Sequence, residues 1–103
     1  MSESTIQKTI LQYLGYHTRV AWAQRINTGA FKVDRRFIKC GFKGCSDIIG
    51  QMVDGRFLAI EVKAPKKYPS KEQRQFLATV NEAGGAAGVA RSVEDVEKIL
   101  HEL

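Results

Sequence analysis

Asp54-Gly55 stands between two runs of strand-forming residues, DIIGQMV (47–53) and RFLAIEVK (56–63). An Asp-Gly pair in that setting is a strong hairpin signal. Side chains alternate along a strand, so the turn decides which residues of the two arms share a face. A two-residue turn at Asp54-Gly55 pairs Val53 with Arg56 and sets Asp47 opposite Val62, with Asp47 facing away from Glu61. A three-residue loop, Val53-Asp54-Gly55, needs φ > 0 at its last position, which Gly55 supplies. That register pairs Met52 with Arg56 and Asp47 with Glu61, and it brings Lys63 to the same face.

The second register has chemical content. Two carboxylates side by side repel unless a cation bridges them. Mg²⁺ takes oxygen ligands, typically one or two carboxylates with water and substrate phosphate. An ion held there activates water and stabilises charge developing on phosphate. Lys63, while protonated, does not ligate the ion. It can hold the attacking water or neutralise the transition state. The same residues also suit an exposed hairpin with an ordinary cross-strand Glu–Lys network, and hairpin spacing alone leaves both readings open.

The flanking segments supply the layers. Ile6, Ile10, Leu11 and Leu14 form an apolar stripe that predicts a helix over 4–14, with Ser4 and Gln7 at capping-box spacing and Gly15 as the stop. Residues 19–27 alternate and suit a strand, while 28–46 is glycine-bearing, basic and irregular, with Phe31, Phe37 and Phe42 among its charges. Pro65 and Pro69 bracket a loop. Ser70 opens a helix to about Ala83 that carries Gln73, Phe76, Leu77 and Val80 on one face, and Gly84-Gly85 ends it. Gln73 completes a capping box with Ser70 or aims its amide at the acidic pair, and the two roles are compatible. Residues 86–91 read as a small-residue strand packed closely by helices. Ser92 and Asp95 cap a last helix with Val93, Val96, Ile99 and Leu100 on one face. The order αβββαβα predicts an α/β fold, a mixed central sheet flanked by helices. With 103 residues there is room for a single domain, 1–103.

Charge is polarised within a net +5. Lys32, Arg35, Arg36, Lys39 and Lys43 face only Asp34 within 28–46, and Lys63, Lys66, Lys67, Lys71 and Arg74 face only Glu72 within 63–74. The tail from Ser92 reverses sign. Two basic segments beside an acidic tail point to a polyanion-binding side. No apolar run approaches the ~20 residues of a membrane helix, and MSESTIQKTI lacks a signal-peptide layout. A cytoplasmic location is expected. Cys40 and Cys45, with His17 and His101 far off in sequence, form no zinc-ligand pattern and read as free thiols.

The string Gly44-Cys45-Ser46-Asp47-Ile48-Ile49-Gly50, then Glu61-Val62-Lys63, then Ser70-x-x-Gln73-x-x-Phe76, resembles the VRR-NUC branch of the PD-(D/E)xK nucleases. The resemblance spans nearly the whole chain. It implies a restriction-endonuclease-like αβββαβ core, followed here by a C-terminal helix. It also implies Asp47 and Glu61 as metal ligands with the Val62 carbonyl as a third, Lys63 as the catalytic lysine and Gln73 as the helix glutamine. Glu3, ahead of Ile6-Gln7, matches the family's first-helix glutamate, and Arg25 and Asn27 in RINTG match a segment near the site. The proline of the motif's name is absent, since Ser46 precedes Asp47.

What the resemblance implies about activity is Mg²⁺- or Mn²⁺-dependent hydrolysis of DNA. Stand-alone members of this size look like phage-type endonucleases that act on branched DNA, including four-way (Holliday) junctions. Two cuts in symmetry-related strands call for a homodimer, with Phe31, Phe37 and Phe42 as candidate interface residues or as anchors of the basic loop. Lys32, Arg35, Arg36, Lys39, Lys43, Lys66 and Lys67 would contact phosphates. A flap or nicking nuclease, a non-catalytic DNA-binding module of the same fold and an interaction module with structural acids are the other readings. Clustered acids beside phosphate argue against the last two.

Overall fold

A computed structural model of the chain describes residues 2–26, 30–33, 36–39 and 42–101, the two short middle segments as backbone strands. Helix α1 runs Glu3–Tyr16. Its N-cap is Ser2, whose hydroxyl accepts from the Thr5 N–H at 3.2 Å, so Ser4 lies inside the first turn and does not cap it. Gly15 does not stop the helix either. Glycine ends a helix when it takes the left-handed position beyond the last turn. Here His17 ends it in an extended conformation, its N–H donating to the Leu14 carbonyl at 3.2 Å.

Strand β1, Val20–Arg25, follows. The expected irregular stretch then contains a hairpin. Strand β2, Ala30–Val33, pairs antiparallel with β3, Arg36–Lys39, Val33 standing opposite Arg36. AFKV and RFIK are dense in charge but also in Phe, Val and Ile, and the strand preference of those residues outweighs the loop-like composition. The element order is therefore αβββββαβα, with a two-stranded sheet inserted after the first strand of the expected core.

Strand β4, Ile48–Met52, and β5, Phe57–Val62, form the central hairpin, then come helix α2, Lys71–Glu82, strand β6, Ala86–Ala90, and helix α3, Val93–His101. The main sheet has the order β1-β4-β5-β6, antiparallel except for the parallel pair β5–β6. Ile6, Ile10 and Leu14 of α1 and Val96 and Leu100 of α3 bury against Ile48, Leu58, Ile60 and Val62 on one face. On the other, Leu77 and Val80 of α2 cover Ala59. Helices on both faces of a mixed sheet give the α/β fold expected from the element order. Close packing of the small-residue strand is also found: a Cβ on Gly88 would sit 2.8 Å from Ile99.

The ends of α1 and α3 meet through polar groups. The Arg19 N–H donates to His17 Nδ1 at 3.1 Å, and His17 Nε2 lies 3.3 Å from Glu97 Oε1. His101 reaches the other oxygen of Glu97 at 2.7 Å. An accepting Nδ1 keeps the His17 ring neutral, and burial, with Arg19 beside it, pushes its pKa below the ordinary histidine value.

Candidate active site

The turn at the hairpin tip sets the geometry of the opposite end. Gly55 has φ 97°, and its N–H donates to the Met52 carbonyl at 2.9 Å. The Met52 N–H in turn donates to the Arg56 carbonyl at 2.8 Å. This is the three-residue loop, and Ile48 stands opposite Ile60. One step outward, Asp47 meets Glu61. Alternation places Glu61 on the α2 side of the sheet with Ala59, and Lys63 continues that side.

The two acids are laced to each other's strands. The Asp47 N–H donates to Glu61 Oε1 at 3.0 Å, and the Val62 N–H donates to Asp47 Oδ2 at 2.9 Å. Lys63 Nζ lies 3.9 Å from Glu61 Oε2. Glu61 is 1% exposed, and its pKa is pushed up to about 8, first by burial and then by the Asp47 carboxyl beside it. Lys63 opposes that shift without cancelling it. A buried carboxylate in this condition favours a proton or a cation. Among the described residues no group of three or more His, Cys, Asp or Glu side chains forms a cation site. The donors on offer are the oxygens of one carboxylate pair. Hard oxygen donors that need a countercharge fit a Mg²⁺- or Mn²⁺-type ion that completes its shell with backbone carbonyl, water and phosphate.

The approach to Asp47 is clamped onto α2. Gly44 has φ 89°, and a Cβ there would come within 2.7 Å of the Glu72 carbonyl oxygen. Phe42 packs edge-on against Phe76 with centroids 5.1 Å apart, and Lys43 pairs with Glu72 at 3.5 Å. Phe42 is thus an anchor of its segment onto α2, although half of it remains exposed. The positive charge of Lys43 is partly answered by Glu72. Ser46, standing where the family motif has proline, is buried, and its hydroxyl donates to the Ile48 carbonyl at 2.9 Å, closing the bend before the strand. Cys45 is a buried free thiol, its pKa raised by burial and by the negative field of Glu61 and Asp47.

Arg25 ends β1 opposite Ile48, and the next N–H, of Ile26, donates to the Asp47 carbonyl at 2.7 Å, so the Arg25 backbone adjoins Asp47 while its side chain shares the α1 side of the sheet with Ile48. It lines a small cavity with Ser4, Gln7, Lys8 and Leu11. Gln73 makes the capping box: its Oε1 accepts from the Ser70 N–H at 2.7 Å, and the Ser70 hydroxyl accepts from the Gln73 N–H at 3.1 Å. Glu3 is exposed in the first turn of α1, where its charge complements the helix dipole. Lys66 and Lys67 are exposed on the loop after Lys63. Lys32, Arg36 and Lys39 lie on β2 and β3. Asn27, Arg35 and Cys40 fall outside the described residues.

Tyr68 and Arg91 were not singled out by sequence patterning. Arg91 Nη2 donates to the Lys67 carbonyl at 2.6 Å, and its guanidinium lies 5.3 Å from the Tyr68 ring centroid. A contact across 23 positions leaves no local sequence signal.

A family model described as VRR-NUC domain matches residues 2–94, a span that includes Glu3, the whole hairpin and α2. No curated protein and no solved structure matches the chain. The chain belongs to the VRR-NUC family, within the PD-(D/E)xK nucleases, and carries a nuclease-type DNA-processing module.

Proposed function

We propose that this chain is a divalent-cation-dependent endodeoxyribonuclease that cuts branched DNA, with the four-way junction as its substrate. The observation that carries the reading is the acidic pair of buried Glu61 and half-buried Asp47, held face to face with Lys63 beside it. Asp47, Glu61 and the Val62 carbonyl would hold Mg²⁺ or Mn²⁺. When bound, that ion lowers the pKa of its water and offsets charge on the phosphate. Lys63 orients the attacking water or stabilises the pentavalent oxyanion by hydrogen bonding. In this reading Gln73, whose Oε1 closes the capping box, turns its amide NH₂ toward the site, and Glu3 supplies the family's first-helix acid.

Arg25, Asn27, Lys32, Arg35, Arg36, Lys39, Lys43, Lys66 and Lys67 form the phosphate-contacting set in this reading. The protein works in the cytoplasm, that of a host cell if phage-encoded. No helix among the described residues is long and apolar enough to cross a membrane. A two-fold homodimer gives the paired cuts that junction resolution needs. Light scattering of the protein, free and bound to junction DNA, tests it: a mass near 11.5 kDa in both states excludes the dimer and favours a nicking or flap-cutting enzyme.

The deciding experiment incubates the protein with labelled duplex, flap and four-way DNA, in Mn²⁺ and in EDTA. Symmetric incision of the four-way substrate in Mn²⁺ alone is the expected result. Absence of incision on all three substrates in Mn²⁺ and Mg²⁺ would reject the enzyme reading.

A further inference from the structure

The loop between Lys63 and Ser70 is held in an unusual shape. Lys66 has φ 67°, the left-handed region, which a side chain with a Cβ rarely occupies without support. The Lys67 N–H closes a turn onto the Ala64 carbonyl at 3.1 Å. Arg91 supplies the outer support by gripping the Lys67 carbonyl and lying against the Tyr68 ring. Arg91 is itself fixed, because its own N–H donates to Asp95 Oδ2 at 2.8 Å. Yet the Tyr68 ring thus supported is 75% exposed.

This arrangement stands on the same rim as the acidic pair. The Lys63 N–H donates to the Ala90 carbonyl at 3.1 Å, so Arg91 follows directly on the residue that accepts from Lys63. An aromatic ring backed by a guanidinium on one side, open on the other and flanked by two exposed lysines is the composition of a nucleobase platform. The lysines attract the phosphates, and the ring offers a π-face to a base. Within a continuous duplex no base presents its face. A free face exists only where stacking is broken.

We infer that Tyr68, positioned by Arg91, stacks on an unpaired nucleobase next to the scissile phosphate and thereby favours DNA with interrupted stacking over continuous duplex. The inference rests on the nuclease reading above and adds a specificity-determining residue to it. Tyr68 touches the substrate. Arg91 acts through the loop as a positioning residue.

The test uses the full chain in Ca²⁺, with a forked DNA carrying 2-aminopurine at the first unpaired position and a matched duplex as competitor. Wild type is expected to quench the 2-aminopurine and to prefer fork to duplex. Tyr68→Ala should lose the quenching and reduce the preference about tenfold. Tyr68→Phe, which keeps the ring, should retain both. Arg91→Ala should give a similar loss of preference, with little further loss when added to Tyr68→Ala, and in cleavage assays in Mn²⁺ it should raise KM with kcat nearly unchanged. Far-UV circular dichroism checks that each variant is folded. If wild type binds DNA and Tyr68→Ala keeps the quenching and the fork preference, this inference fails while the nuclease reading stands. If wild type binds neither DNA, both fail.

Discussion

The two ends of the central hairpin carry the same kind of charge pattern with opposite outcomes. At the tip, Asp54 and Arg56 form an exposed pair with Nη2 and Oδ2 2.6 Å apart, and the arginine holds the Asp54 carboxyl below its ordinary pKa. At the base, Glu61 and Lys63 have the same i, i+2 spacing but stand 3.9 Å apart with Glu61 buried, and the carboxyl is pushed up. The tip also borders the larger cavity, about 500 Å³, lined by Arg56, Phe57, Thr79 and others. The larger cavity therefore does not coincide with the acidic pair. The tip's charges are already answered within the chain, whereas the base holds a carboxylate whose partner is insufficient. That shortfall suits a site awaiting a cation and a phosphate.

The largest expected contrast is in cleavage. Asp47→Ala, Glu61→Ala and Lys63→Ala should each reduce the rate on the order of a thousandfold or more without unfolding the protein. Asp54→Asn and Arg56→Gln should leave it unchanged. Gel assays on four-way DNA in Mn²⁺ measure this. Near wild-type cutting by Lys63→Ala would remove that residue from the mechanism.

Next is affinity. If DNA is drawn to the base of the hairpin, neutralising Arg35, Arg36 and Lys39 together should weaken binding to all sequences alike and reduce the salt slope by about one per lost contact. Anisotropy titrations across a salt series would show it. An unchanged slope would move the binding surface elsewhere.

The pH dependence of stability separates the two ends more finely. Glu61 titrates at about 8 in the folded chain against 4.5 for an unperturbed carboxyl, so the folded state binds the extra proton between those values. Its contribution is complete below the lower value and is lost as pH rises through the higher one. The metal-free protein should therefore show a Tm that falls between pH 5 and 8, with Mn²⁺ restoring it at pH 8. Glu61→Gln should flatten the profile and abolish the metal effect. A metal-free Tm that rises over that interval would contradict the assignment. The smallest effect belongs to the tip: Arg56→Gln should leave Tm within experimental error, as an exposed ion pair contributes little.

The hairpin and its register could be read from the sequence because they depend on a few adjacent residues. Asp54-Gly55 allows two registers, and the three-residue loop that Gly55 permits is the one that aligns Asp47 with Glu61. The Ser70–Gln73 capping box was readable for the same reason. The β2–β3 hairpin was hidden by its charge density, and the cap of α1 lay two residues before the expected one. The elevated state of Glu61 depends on burial under α2, and the Arg91–Tyr68 contact on the parallel pairing of β5 with β6. Both are products of chain topology, which local spacing does not encode.

The paired bonds that tie Asp47 to the Glu61 carboxyl and to the Val62 amide have a consequence for observation. The amide protons of Asp47 and Val62 each point into a carboxylate of the pair. Their ¹H–¹⁵N resonances are built-in indicators of the charge state there. In a titration they should move together as Glu61 loses its proton and shift again when a diamagnetic cation such as Mg²⁺ arrives. Two backbone signals would thus report on the occupancy of this site in the absence of any DNA and before any bond is cut.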